Sequence, residues 1–303
     1  MNFELTILGS GSAVPTANRN PTAHFLNFGE KFFLIDCGEG TQIQLKRYKL
    51  RFTRINHIFI SHLHGDHYFG LIGLISTLNL LGRKNPLYIY GPPQLKELLD
   101  FQMKLADHYI GYKIEFTPLS YDQSKVIVDD RRYTVETIIL KHRVHCCGFI
   151  FREKSKQRNI IREKIQQYQI PLKEVANIKA GADFLSTDGK FISNKELTIE
   201  PPKPKSYAFC SDTIYKESII EQIKNVDLLY HEATFLSNLS ELAKQTYHTT
   251  AAQAANIAKM ANVKQLVIGH FSSRYASFDE FLQEACPVFE NTQIAADGKR
   301  IPF

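Results

Sequence analysis

Residues 60–71 read ISHLHGDHYFGL, which places His62, His64, Asp66 and His67 within six positions. Such a stretch is either a polar loop that happens to be rich in histidine or half of a two-metal site. The apolar run INHIFIS leading into it has the β-branched content of a strand, and residues 69–80 behind it read as a helix. His62 and His64 are two apart, so on extended backbone they point to the same side. Gly65 permits the sharp turn that brings Asp66 and His67 around to a second position. Imidazole nitrogen and carboxylate oxygen suit Zn²⁺. Four such groups on one loop crowd a single open metal, so two adjacent ions are the natural solution. Asp212 is the candidate to bridge them.

The same placement recurs along the chain. His142 follows TVETIILK, Asp212 follows YAFCS, His231 and Glu232 follow VDLLY, and His270 follows QLVIG. Each lies at the C-terminal end of an apolar run, where loops converge on one rim of a sheet scaffold. That recurrence favours the metal reading over a chance polar loop. Two ions about 3.5–4 Å apart lower the pKa of a shared water and stabilise charge on a phosphoryl centre, which points to metal-assisted hydrolysis. His24, His57, His108 and His145 read as structural, although His145 lies only three residues from His142.

The rest of the chain supplies the scaffold. FELTIL, HFLNF, KFFLID and LYIYG read as further strands, and PPQLKELLDFQMKLAD as a helix opened by its prolines. Strands follow at KIEFT, YTVETIIL and GFIFR. Residues 152–200 break the rhythm: polar, basic and helical in pattern, they end at EPPKPK and read as an inserted, protruding arm. Alternation then resumes with SYAFCSD, a helix over 216–225, VDLLYHE, a helix over 249–261 and KQLVIGH. These elements imply an α/β sandwich, with helices outside paired sheets, formed by one domain spanning 1–303.

Composition reads as that of a cytosolic globular protein. The 303 residues are 44% hydrophobic and 22% charged, enough for a sizeable core. No apolar run reaches the length of about 18 residues that a membrane helix needs, and MNFELTILGSGS lacks the pattern of a signal peptide. The five cysteines, with no CxxC spacing, read as small buried hydrophobes rather than a disulfide framework or a thiolate zinc site. Of the net charge of +6, residues 152–179 carry most, with eight basic and three acidic side chains. A stripe of this kind is a solvated surface or a footprint for a phosphate backbone. The glycines of LGSGSAVP lack the third glycine and acidic position of a dinucleotide fingerprint and read as a tight turn.

These residues carry a family resemblance. SHLHGDH matches the His-x-His-x-Asp-His signature of the metallo-β-lactamase superfamily. Together with LGSGSAVPT, DCGEGTQ, CSDT, HEATF, YHTTAAQAA and GHFSSRY, it makes nearly the whole chain resemble the ribonuclease Z family of tRNA 3′-processing endonucleases. The resemblance implies a metallo-β-lactamase αββα sandwich and two Zn²⁺ per subunit. One ion would sit on His62, His64 and His142, and the other on Asp66, His67 and His270, with Asp212 bridging. Asp66 would also be the general base, the alternative being a purely ligating role. Glu232 and His248 would protonate the leaving 3′ oxygen; otherwise His248 merely precedes a helix capped by Thr249 or Thr250. Arg274 would contact a phosphate. The resemblance further implies a homodimer acting on precursor tRNA, with the arm as a tRNA-gripping exosite. The Gly-Pro pair usual in that arm is absent here.

The rival readings are a small-molecule phosphodiesterase with the same metal loop and a non-catalytic RNA-binding module. A small substrate leaves the basic insertion without a purpose, and a binding module leaves the complete ligand set without one.

Overall fold

The computed structural model describes residues 3–107 and 109–303, so His108 lies outside the described residues. The chain divides into two units.

The larger unit takes in the chain through Val128, Val135–Phe151 and Ser206–Phe303. Two seven-stranded sheets organise it. The first runs, in spatial order, Arg300–Pro302, Phe3–Gly9, Ala23–Phe28, Lys31–Ile35, Ile55–Phe59, Leu87–Gly91 and Ile114–Pro118. The second runs Thr292–Ile294, Leu266–Gly269, Leu228–Glu232, Ser206–Cys210, Cys147–Glu153, Tyr133–Ile139 and Val126–Asp129. Lys31–Ile35, Ile55–Phe59 and Leu87–Gly91 are parallel neighbours, as are Ser206–Cys210, Leu228–Glu232 and Leu266–Gly269. Parallel strands need crossovers, and helices lie in all of these except the one between Ser206–Cys210 and Leu228–Glu232, which holds only a 3₁₀ turn.

Strand alternation decides what each face meets. Leu34, Ile58 and Ile89 pack with Leu71, Leu74, Leu78, Leu95 and Leu99 of helices Leu71–Leu80 and Pro93–Leu105. On the other sheet Ala208, Leu229 and Ile268 pack with Ala254, Ala258 and Phe281 of helices Ala251–Met260 and Asp279–Ala285. The opposite faces of the two sheets meet through aromatic rings. Phe59 lies 5.2 Å from Phe149, Phe33 lies 5.2 Å from Phe151, and His24 lies 4.2 Å from Tyr230, ring centre to ring centre. Phe33 and Leu34 therefore serve different layers although adjacent, which is the period-two rule.

The αββα sandwich expected from the sequence is the one observed. The segment read as a helix over 216–225 contains only the 3₁₀ turn Glu217–Ile219, because Val226 and the turn before it must return the chain to strand Leu228–Glu232. Helices Thr41–Arg47 and Ser240–Thr246, two turns each, and the three-residue strands Thr292–Ile294 and Arg300–Pro302 were not legible, being too short to show a period.

The smaller unit comprises Asp129–Thr134 and Arg152–Lys205. It is less helical than its sequence pattern indicates. Helices Arg162–Gln167 and Leu172–Lys179 accompany two short antiparallel pairs, Asn159–Ile160 with Thr198–Ile199 and Phe184–Leu185 with Phe191–Ile192. Ile170, Ile178, Phe184, Ile192 and Leu197 form a small core of its own.

Candidate metal centre

The loop that follows Ile55–Phe59 is held by backbone contacts to the turn after Lys31–Ile35. Cys37 N donates to His67 O at 2.7 Å, and Gly70 N donates to Cys37 O at 2.9 Å. A β-carbon on Gly38 would stand 2.5 Å from Asp66 O, so only glycine allows this approach. The histidine loop is thereby fixed before any cation binds.

Two clusters of ligand atoms result. His62, His64, His142 and Asp212 form one, and Asp66, His67 and His270 the other, with atoms within 4.8 Å of one another in each; a third group of the same closeness, Asp212, His248 and His270, overlaps both. In the first, His62 Nε2 and His142 Nε2 lie 3.1 and 3.2 Å from His64 Nδ1, and each is 3.7 Å from Asp212 Oδ2. In the second, Asp66 Oδ2 is 3.4 Å from both His67 Nε2 and His270 Nε2. Asp212 Oδ1 faces the same two nitrogens at 3.5 and 3.2 Å. Asp212 thus turns a different oxygen toward each cluster.

The atoms around the clusters fix which nitrogens face inward. Asp36 Oδ2 accepts from His67 Nδ1 at 2.7 Å and from Ser61 Oγ at 2.9 Å. The Ser61 hydroxyl proton is thereby used, so Ser61 Oγ accepts from His62 Nδ1 at 3.0 Å. His142 Nδ1 donates to Tyr247 O at 2.9 Å. With these protons on Nδ1, the Nε2 lone pairs of His62 and His142 converge.

Charge follows the same logic. Burial lowers His62 well below the ordinary histidine value and also lowers His64 and His142, which keeps all three neutral. Burial alone would raise Asp66 and Asp212, but His67 and His270 hold both carboxyls well below their usual range. Neutral His62, His64 and His142 with ionised carboxylates are in the states that metal binding requires, whereas His67, although burial acts to lower it, is raised well above the ordinary histidine value by Asp66, Asp212 and Asp36 and must give up a proton to become a ligand. His67 Nε2 and Asp212 Oδ1, both buried, have no hydrogen-bond partner among the described residues. Orphaned ligand atoms facing each other across a few ångströms fit cations between them, and the residues present suit zinc.

Glu232 and His248 stand beside these clusters. Glu232 is fully buried and accepts from Thr213 N, Thr249 N and His248 Nδ1 on Oε1, at 3.1, 3.0 and 3.0 Å. Although burial acts to lower it, His248 is raised to about 9 by this carboxylate, with a further contribution from Asp212. Thr250, not Thr249, caps the helix Ala251–Met260 through a capping box. His64, Asp66, His142, Asp212, His248 and His270 all line one cleft of about 570 Å³, together with Phe69 and Arg143.

Arg274 does not join that lining. It is exposed, donates to Ser272 Oγ at 3.0 Å and lies 5.1 Å over the ring of Phe235, itself 6.0 Å from His248. His231, counted with Glu232 at the strand end, turns away from the cleft: its Nδ1 meets the Glu232 carbonyl at 2.7 Å, and its strand neighbours Cys210 and Ile268 belong to the helix-side core. His24 sits between the sheets, His57 bonds Tyr90 at 3.2 Å, and His145 stacks on Tyr121. None of the cysteines is paired, and four of the five are buried.

Sequence reasoning gave no role to Asp36 or Ser61, which orient ligands of both clusters, nor to Ala13, whose N–H donates to Asp66 Oδ2 at 2.8 Å. A carboxylate directly after the apolar strand KFFLI was the available signal for Asp36. Its backbone is left-handed at φ 55°, as is that of His270 at φ 62°, and such strain in non-glycine residues gathers at functional sites.

Two stacked sheets with histidine and carboxylate clusters at strand ends define the class, a metallo-β-lactamase-fold protein with a metal-binding site. A Bacillus subtilis metallo-β-lactamase-fold protein superposes with TM-score 0.69 at 20% identity, each chain covered completely. Human tRNase Z, short form, superposes with TM-score 0.72 at 26% identity over 98% of both chains. The family model described as Anti-Pycsar protein Apyc1 matches residues 3–154. Ribonuclease Z of Bacteroides fragilis is 50% identical over 98% of this chain and 97% of that protein, and ribonuclease Z of Phocaeicola vulgatus 51% identical over 99% and 97%. The chain matches the Apyc1 model over half its length and belongs, over nearly all of it, to the ribonuclease Z family.

Proposed function

We propose that this chain removes the 3′ trailer from precursor tRNA with two zinc ions per subunit, leaving a 3′-hydroxyl on the tRNA and a 5′-phosphate on the trailer. Its family gives the class, an endoribonuclease of tRNA 3′ processing. The observation that carries the finer reading is that Asp212, which faces two ligand clusters with different oxygens, shares its cleft with His248, which buried Glu232 backs at 3.0 Å.

When bound, the cations supply an activated water and offset charge on the phosphoryl oxygens. His62, His64 and His142 would hold one, Asp66, His67 and His270 the other, and Asp212 both. Asp66, whose Oδ2 is steadied by Ala13 N–H, takes the proton of the attacking water. His248 keeps Nδ1–H on Glu232, so its Nε2 carries the proton given to the leaving 3′ oxygen. That oxygen is a poor leaving group without it.

The basic segment within Arg152–Lys205 would grip the tRNA backbone by shape and phosphate, and Arg274 would meet a phosphate beside the cleft. The same reading makes the enzyme a cytoplasmic homodimer. The exposed Phe101 and Leu105 on helix Pro93–Leu105 offer such a pairing apolar surface to cover. Among the described residues no helix is long and apolar enough to cross a membrane.

Cleavage of an end-labelled precursor tRNA, with and without a chelator, tests the reading. A single chelator-sensitive cut beside the acceptor stem is expected. Chelator-sensitive hydrolysis of a small phosphodiester without any cut in tRNA would instead support the phosphodiesterase reading.

A further inference from the structure

One hydroxyl touches both halves of the chemistry. Thr234 Oγ1 lies 2.9 Å from Glu232 Oε2, 3.2 Å from His248 Nδ1 and 3.0 Å from His270 Nδ1. Thr234 is 2% exposed, and its backbone is tied at both polar groups. Its N–H donates to Glu232 Oε2 at 3.0 Å, and its carbonyl accepts from Ser272 N at 3.2 Å. The hydroxyl therefore has little freedom to choose other partners.

A threonine hydroxyl has one proton to donate and lone pairs to accept with. The carboxylate of Glu232 is the strongest acceptor within reach, and a hydrogen bond to a charged acceptor outweighs one to a neutral ring nitrogen. The proton accordingly goes to Glu232 Oε2. His270 Nδ1 must then be the donor to Thr234 Oγ1, which leaves the His270 Nε2 lone pair facing Asp66 Oδ2 and Asp212 Oδ1 at 3.4 and 3.2 Å. By the same assignment His248 Nδ1–H has Glu232 Oε1 as its principal acceptor.

We propose that Thr234 is a positioning residue that sets two things with one hydroxyl: the Nδ1–H tautomer of His270, which frees its Nε2 for a cation, and the orientation of Glu232 toward His248. This rests on the two-cation reading of the cleft. It makes the ligand and the acid parts of one buried unit, so that loss of the hydroxyl disturbs both. Isolated ligand replacement would disturb only the first.

The test compares Thr234→Val, which keeps the shape and removes the hydroxyl, with Thr234→Ser, which keeps the hydroxyl. Zinc affinity is measured by competition against a coloured chelator, and kcat and KM are measured on precursor tRNA and on a small phosphodiester. Valine is expected to weaken one of the two zinc ions by about 10–100-fold, the effect typical of losing a group that orients a ligand, while the other stays within about twofold. With both sites saturated by excess zinc, kcat on tRNA is expected to remain at least about tenfold low with KM little changed, since general acid catalysis is worth about 10²–10⁴-fold. Serine should restore both. Thr234→Ala serves if the valine variant does not fold. Parental affinity for both ions, equal weakening of both, or failure of serine to restore the parent would overturn the proposal. Failure of the tRNA reading is separate, since it would show as no cleavage by the parent while the zinc titrations remain readable.

Discussion

Asp36 Oδ2 stands 2.7 Å from His67 Nδ1, and neither side chain reaches solvent. Asp36 accepts at both oxygens: Ser61 N–H at Oδ1, and Ser61 Oγ and His67 Nδ1 at Oδ2. An amide in its place must aim NH₂ at a donor in either orientation. Asp36→Asn is therefore expected to turn His67 away from Asp66 and Asp212 and to weaken zinc by about 10–100-fold. Chelator competition measures this, and unchanged affinity would mean that His67 is oriented by packing alone.

The Glu232–His248 pair makes a prediction about pH. The pKa of His248 is raised to about 9 against the effect of its burial, so it keeps its proton through neutrality and loses it as pH rises through that value. The fall of kcat on the alkaline side should therefore centre near 9 in the parent. In Glu232→Gln the groups that raise His248 are reduced while burial still lowers it, so the fall moves to lower pH. His248→Ala should cost about 10²–10⁴-fold in kcat. An alkaline limb that stays in place in Glu232→Gln would remove His248 as the acid.

The sequence was most legible where one physical rule acted alone. A continuous apolar run such as KFFLI read correctly because the strand is buried on both faces, and the candidate ligands His62, His142 and His270 stood out because each follows such a run. What stayed hidden depends on contacts distant in sequence. Asp36 reaches His67 across 31 positions and Ser211 meets Ser61 across 150, and nothing in either local pattern announces the partner. The segment over 216–225 was misread because its apolar spacing suits a helix, while the crossover leaves room for little more than a turn. In the insertion, the helical pattern was real at Leu172–Lys179, but the two-residue strands around it are too short to leave a periodic signal.

The smaller unit has its own small core, so its removal is a clean experiment. Deleting roughly residues 153–198 should weaken precursor tRNA binding and reduce its dependence on salt, because the basic side chains of residues 152–179 would no longer displace counterions. Hydrolysis of a small phosphodiester should survive, since every ligand of both clusters lies in the larger unit. Filter binding over a range of salt concentrations reads the first effect and a chromogenic phosphodiester the second. Equal loss of both activities would make this segment part of the scaffold.

His24 tests the assignment of a histidine to the core. It is fully buried between the sheets, with Nδ1 3.2 Å from Tyr207 Oη and its ring edge-on to Phe209 and Tyr230. Burial first, and the nearby His67 second, lower its pKa from 6.5 to about 3. The unfolded chain therefore binds a proton below pH 6.5 that the folded chain refuses. Stability from this residue is complete above pH 6.5 and declines as pH falls toward 3, by about 1.4 kcal/mol for each unit. His24→Phe keeps an aromatic ring in the layer and cannot titrate, so its urea midpoint should fall less steeply than the parent's between about pH 6.5 and 4. Parallel slopes in parent and variant would mean that His24 takes up its proton inside the fold. It would then belong with the polar chemistry of the cleft, not with the aromatic layer that joins the sheets.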